Sequence, residues 1–275
     1  MQIAPINSLP FFAYGIFRIG QISHFCIKEY IDTVYKSLRI KGRLHIRDGI
    51  PLLEVGEESG EIEGDLITFK PQFQSLAIQS IENLEPQKYY KWGVIQTPKG
   101  DANILLGRSP QKGSVAESNY WNCWDDPLFT TLFDIVDEQL ALNDFDLDGK
   151  SFLKLQMTYL LLWASIERFV SLRYGFRGSE IRGKINELKN EKAFCESLLL
   201  INGVHRDIYS TDNVENKFKF IPNSPKACID YYYQIRCNIT HRGKASISDA
   251  KLVQQSLKEL SFIFKRVIES AKVNG

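Results

Sequence analysis

The chain has 275 residues, 44% hydrophobic and 24% charged, with a formal net charge of +1. That balance excludes a disordered chain and fits one large domain or two of ordinary size. The five cysteines, Cys26, Cys123, Cys195, Cys228 and Cys237, form no C-x-x-C pair, which speaks against a zinc site and for reduced thiols in a cytosol.

The start carries no basic, apolar leader, and the longest apolar run, Tyr159 to Ala164, is too short to span a bilayer. The expectation is therefore a cytoplasmic protein with no membrane partner, no metal and no cofactor. Charge is unevenly spread: +1 over residues 1–112, −8 over 113–150 and +8 over 151–275. A basic C-terminal part suits a polyanion such as RNA, although solvated lysines on helices account for it equally well.

In chain order, Leu9–Tyr14 reads as a buried strand ending at Gly15. Residues 33–44 alternate loosely through Gly42, as a strand with a bulge, and Asp48-Gly49 with Pro51 marks a turn. Glu61–Phe69 alternates like a strand, and Gln74–Leu84 reads as a short helix. Strands over 89–95 and 102–106 close the unit around Lys99-Gly100-Asp101.

Phe12-Ala13-Tyr14-Gly15-Ile16-Phe17-Arg18-Ile19-Gly20 resembles the opening segment of gamma-glutamylcyclotransferase-like proteins. Gly42-Arg43-Leu44, Ile50-Pro51-Leu52-Leu53, Ile62-Glu63-Gly64-Asp65-Leu66 and Ile81-Glu82-Asn83-Leu84-Glu85 follow in that family's order. The resemblance covers about residues 8–110. It implies a small mixed β-barrel with short helices, and a loop (Tyr14, Gly15, Ile16, Phe17, Arg18) that cradles a gamma-glutamyl-like ligand. It also implies Glu85 as the proton shuttle when the substrate amine attacks its own γ-carbonyl and releases 5-oxoproline. Ile16 stands where the family has Ser or Thr, Phe17 where it has Leu, and Pro86 where a glycine follows the glutamate. Read without the resemblance, Glu85 is a surface acid just past a short helix.

Residues 107–119 are polar and rich in Gly, Ser, Lys and Pro, placing a boundary there. Trp121 and Trp124 stand in an acidic stretch suited to docking one domain on another. Asp126-Pro127 starts a helix. Residues 144–149 lack the distal glutamate of a calcium loop and read as a helix connector. Residues 151–174 carry apolar side chains at helical spacing, with Glu167 on the polar face. Residues 179–200 read as a helix, 202–223 as a polar loop, and Ser224-Pro225 as the cap of the next helix. Ser246 and Asp249 open the last one.

The helix from Pro225 ends Tyr233-Gln234-Ile235-Arg236-Cys237-Asn238-Ile239-Thr240-His241-Arg242-Gly243. An arginine that keeps its proton and a histidine that titrates near neutrality suit a phosphodiester. The same residues also suit a plain helix end, with His and Arg at the negative dipole terminus and Gly243 as the stop. Tyr-x-x-Arg-x-Asn-x-x-His-Arg-Gly at the end of a helix resembles the HEPN superfamily, in particular its Apea-like branch, over about residues 120–275. That implies an all-α bundle acting as a metal-independent endoribonuclease and a homodimer through this helix. Arg236 would neutralise the scissile phosphate and His241 would move the proton, with Asn238 assisting and Tyr233, Glu167 and Arg242 lining the RNA site. Cys237 occupies a position usually held by Asn, Asp or His. On an ideal helix Arg and His lie about 140° apart, so a two-fold partner would complete the cleft.

The expected fold is α+β in two domains: 1–112, an acidic connector 113–125, and 126–275. The expected activity is a ribonuclease with a ligand-sensing or gamma-glutamyl-processing first domain; the HEPN resemblance implies a toxin or antiphage setting with an antitoxin partner. Two other readings stand beside it: a gamma-glutamylcyclotransferase-like enzyme with a dimerising or RNA-binding HEPN unit, and a non-enzymatic binding protein.

Overall fold

A computed structural model describes residues 4–56, 60–85, 88–141, 149–175, 181–201, 206–211, 213, 215–242 and 250–274. The chain divides into two compact units, Met1–Asp126 with Leu172–Gly178 and Lys272–Gly275, and Pro127–Ser171 with Ser179–Ala271.

In the first unit, β1 (Phe11–Ala13) is apolar and buried on both faces because it lies at the centre of a five-stranded sheet. The order is β2 (Ile31–Lys41), β5 (Glu61–Phe69), β1, β7 (Gly100–Gly107), β6 (Tyr90–Thr97). β1 runs antiparallel to β5, with Phe12 opposite Leu66, and parallel to β7, with Phe12 opposite Ile104. β3 (Arg43–Arg47) pairs with β4 (Ile50–Glu54) and β8 (Ser114–Val115) in a separate three-stranded sheet.

The strand expected over 33–44 is thus two strands in two sheets. The break is Gly42, where a Cβ would come within 2.6 Å of the Leu53 side chain. Among the described residues β2 and β6 form open edges, so the expected barrel does not close. Register shifts at Ile31/Thr33 and Tyr35/Leu38, the second beside the left-handed Ser37, bend β2 along β5.

Helix α1 (Gln74–Leu84) buries Ala77, Ile78, Ile81 and Leu84, a three- and four-residue spacing that makes one apolar stripe. It stops at Glu85, whose backbone turns extended while its N–H still donates to the Ile81 carbonyl at 3.0 Å. The stretch read as an acidic connector packs within this unit. β8 pairs with β3, and Trp124 Nε1 donates to the Gly20 carbonyl at 2.7 Å. Leu172 and Arg173 belong here too: Ser23 Oγ donates to the Leu172 carbonyl at 2.7 Å, and Arg173 donates to the Ile22 carbonyl at 3.0 Å.

The second unit holds α2 (Pro127–Thr130), α3 (Leu132–Ala141), most of α4 (Gly149–Tyr174), α5 (Ile181–Asn186), α6 (Lys192–Leu200), α7 (Pro225–Arg242) and nearly all of α8 (Ala250–Asn274). Tyr159, Leu162, Ile166 and Phe169 of α4 are buried, as are Tyr231 and Tyr232 of α7. Tyr159 satisfies its hydroxyl on the Tyr232 carbonyl at 2.8 Å.

The unit is not all-helical. β9 (Arg206–Tyr209) and β10 (Lys217–Phe220) form an antiparallel hairpin where a polar loop was expected. Ile208 and Phe220 face inward while Asp207, Tyr209, Lys217 and Lys219 face out, a period-2 pattern only four residues long. Arg206 bonds Glu259 of α8 at 2.6 Å, and Tyr232 donates to the same carboxylate at 2.9 Å. Among the described residues no helix is long and apolar enough to cross a membrane.

Candidate functional site

The first unit brings the loop after β1 and the end of α1 to one pocket, although about seventy residues separate them in sequence. It is lined by Tyr14, Gly15, Ile16 and Phe17 of the loop, Glu85, and walls from Phe11, Ala13, Ile50, Pro51, Tyr90 and Leu105. Gly15 lets the loop approach: a Cβ there would lie 3.3 Å from the Pro51 ring. The space open to the centre of a water-sized group is about 20 Å³, room for roughly one water.

Glu85 is the carboxyl of this lining. Its surroundings are aromatic and aliphatic, and burial pushes its carboxyl up from the ordinary 4.5 to about 8. Tyr14 is held as a neutral phenol, its pKa raised by burial and then by the nearby Glu85. Its hydroxyl donates to the Leu105 carbonyl at 2.5 Å and receives the Leu53 N–H at 3.4 Å. Tyr90 donates to the Pro51 carbonyl at 2.7 Å, fixing a second wall.

The loop itself is a tight turn. Arg18 N–H donates to the Gly15 carbonyl at 3.1 Å and Ser23 N–H to the Ile16 carbonyl at 3.1 Å. His24 Nδ1 lies 2.8 Å from the Phe17 carbonyl, and burial lowers the pKa of this ring. Arg18, expected on the ligand, leaves the pocket: its guanidinium binds Glu63 at 2.8 Å and Asp65 at 3.5 Å. Asp65, buried in β5, also accepts the Ile19 and Ser37 N–H groups at 3.1 Å each, so it organises the loop from behind.

In the second unit, Arg236 stands on the outer side of α7. It reaches Glu167 of α4 at 3.3 Å, with side-chain exposures of 24% and 27%. Tyr233, one turn earlier, meets Trp163 edge-on at 5.4 Å. Arg182 of α5 lies 4.1 Å above the Tyr233 ring and the Arg236 guanidinium 5.6 Å from its centre. Arg182 is also ion-paired to Asp230. Sequence reading missed Arg182; its only signal was membership of a basic region.

Asn238 does not join Arg236. It is buried, its amide donates to the Tyr209 carbonyl at 2.9 Å, and its oxygen accepts Thr211 N–H at 3.2 Å and Gln234 at 2.8 Å. Two helical residues turn the chain by about 200°, so Asn238 faces the hairpin while Arg236 faces Glu167 of α4. His241 and Arg242 lie in the last turn of α7, but their side chains fall outside the described residues, as does Gly243.

No family model and no curated protein matches the chain. Among solved structures, uncharacterized protein PH0828 from Pyrococcus horikoshii is 18% identical with a TM-score of 0.35, covering 44% of this chain and 93% of its own. YkqA from Bacillus subtilis is 19% identical with a TM-score of 0.31, covering 41% of this chain and 39% of its own.

Proposed function

We propose that the first unit is a gamma-glutamylcyclotransferase-like acid–base site for a ligand bearing a gamma-glutamyl group. The observation that carries this reading is Glu85, with its carboxyl at about 8, in one pocket with the Tyr14–Phe17 loop. In the reaction, the substrate's α-amine attacks its γ-amide carbon. A ring C–N bond forms, the γ C–N bond breaks, and 5-oxoproline and a free amine leave. Glu85 takes a proton from the attacking nitrogen and returns it to the departing one. A group at about 8 is matched to an aliphatic amine, so neither transfer is steeply uphill. In this reading the loop amides of Ile16 and Phe17 take the ligand carboxylate.

The test is release of 5-oxoproline from L-γ-glutamyl-L-alanine by the full chain, lost in Glu85→Gln. No release by the unaltered protein, with no binding of 5-oxoproline, removes the reading.

A second reading is favoured by the Arg236–Glu167 pair. The second unit acts as a metal-independent, HEPN-type endoribonuclease that dimerises through α7. Glu167 holds Arg236 extended until a phosphate replaces it, His241 moves the proton, and the RNA supplies its own 2′-hydroxyl as nucleophile. Cleavage of mixed RNA in EDTA should be lost in both Arg236→Ala and His241→Ala; intact RNA with the unaltered protein rejects it. A toxin or antiphage setting, with an antitoxin partner, would follow from this second reading.

A further inference from the structure

Three consecutive carbonyls of the pocket loop are turned onto internal donors. Gly15 takes the Arg18 N–H at 3.1 Å, Ile16 the Ser23 N–H at 3.1 Å, and Phe17 the His24 ring nitrogen at 2.8 Å. A planar trans peptide points its N–H opposite to its C=O. Holding the Gly15 and Ile16 carbonyls therefore turns the N–H groups of Ile16 and Phe17 the other way, and both residues line the pocket. Among the described residues neither N–H has an acceptor.

His24 supplies the one side-chain clamp in this set. A carbonyl accepts only, so Nδ1 carries the proton and the lone pair sits on Nε2. The ring is buried in a short turn, His24–Cys26, whose backbone is tied down by His24 N–H to Gln21 at 3.1 Å and Ile27 N–H to His24 at 3.1 Å. With the ring fixed at its base, the Nδ1 bond sets where the Phe17 carbonyl lies. The same Phe17–Arg18 peptide carries the Arg18 N–H that closes the turn on the Gly15 carbonyl, and that turn presents the two amides.

We propose that His24 is the positioning residue of the pocket: its Nδ1–H holds the Phe17 carbonyl so that the Ile16 and Phe17 amides stay aimed at a ligand carboxylate. This rests on the gamma-glutamyl reading of the Glu85 site. His24 touches neither ligand nor reacting atoms, so it governs binding and leaves the proton transfer to Glu85.

The experiment uses the full chain with L-γ-glutamyl-L-alanine as substrate and 5-oxoproline as the binding probe. Four proteins are compared: unaltered, His24→Leu, His24→Gln and His24→Asn. Asparagine places an N–H the same number of bonds from the backbone as Nδ1, glutamine places it one bond further, and leucine removes it. KM and the 5-oxoproline Kd should rise about tenfold in the Leu and Gln variants, the scale of one lost hydrogen bond. The Asn variant should stay within about threefold of the unaltered protein, and kcat should change by less than about threefold in all three. In ¹⁵N spectra the His24 ring should show a protonated Nδ1, and 5-oxoproline should shift the Ile16 and Phe17 amide signals.

Unchanged KM and Kd in a folded Leu variant overturn the proposal while the Glu85 reading stands. So does an Asn variant as impaired as Leu. If the unaltered protein neither releases nor binds 5-oxoproline, the gamma-glutamyl reading fails and the positioning role falls with it. If a variant does not fold, amide shifts in the unaltered protein decide: a ring protonated at Nε2, or Ile16 and Phe17 signals indifferent to 5-oxoproline, overturns it.

Discussion

Replacing Glu85 with glutamine should make the first unit more stable at neutral pH while abolishing the proposed chemistry. The carboxyl is displaced from 4.5 to about 8 by burial. A carboxyl whose folded pKa is raised binds its proton more tightly when folded, so ionisation opposes folding. The loss begins as pH rises past the unfolded value of 4.5 and is complete once pH has passed the folded value of about 8. At about 1.4 kcal/mol per pH unit, the interval from 4.5 to 7 costs roughly 3 kcal/mol. The whole displacement sets an upper limit of about 5 kcal/mol. Glutamine has no such term. It leaves an amide N–H₂ in a largely apolar pocket, which costs about 1–3 kcal/mol at every pH. The diagnostic is therefore the slope: urea unfolding of both proteins from pH 4 to 9 should show the variant gaining on the unaltered chain through this window and levelling above it. A difference independent of pH would refute the raised carboxyl, and with it the match to an amine. In the same window, 5-oxoproline release should climb as Glu85 ionises and flatten above pH 8.

Two further substitutions separate structural from chemical roles. Asn238→Ala leaves the Tyr209 carbonyl and the Thr211 N–H without their partner. It should destabilise the second unit by about 2–3 kcal/mol in equilibrium unfolding, with amide exchange in the hairpin accelerated. Unchanged stability together with lost RNA cleavage would restore Asn238 as a catalytic candidate. Gly64→Ala puts a Cβ 2.5 Å from the Phe12 ring and 2.6 Å from the Ala13 carbonyl oxygen. A backbone oxygen in a paired strand has little room to yield, so a loss of about 3 kcal/mol in urea unfolding is expected. A loss below about 1 kcal/mol would show that β1 and β5 can separate locally.

The parts of the fold that sequence made visible are those where burial imposes a long period. Glu61–Phe69 and Gln74–Leu84 appear with the bounds read from alternation and helical spacing, because each lays a full stripe on the sheet or its neighbours. The hairpin over Arg206–Phe220 stayed hidden because each strand offers a single buried residue, Ile208 or Phe220, too little to show a period. The pocket residues Tyr14 to Phe17 and Glu85 were found through an ordered set of short motifs. Arg18 was placed with them by adjacency alone, while its guanidinium goes to Glu63 and Asp65, forty-five and forty-seven residues away. His24 gave no pattern, since a single hydrogen bond to a loop carbonyl leaves none. Asn238 was assigned by its neighbourhood in the chain, whereas helix geometry turns it from Arg236 to the hairpin.

The first unit is not contiguous along the chain: Leu172 and Arg173 hold the Ser23 hydroxyl and the Ile22 carbonyl, and Lys272 lies 5.4 Å over the Trp124 ring. During synthesis, then, the strands and pocket walls leave the ribosome well before the residues that brace the turn behind the pocket loop. A chain stopped at Asp126 would carry Tyr14, His24 and Glu85 yet lack that brace. The pocket is thus finished late, and a nascent or truncated first unit should bind the proposed gamma-glutamyl ligand only weakly.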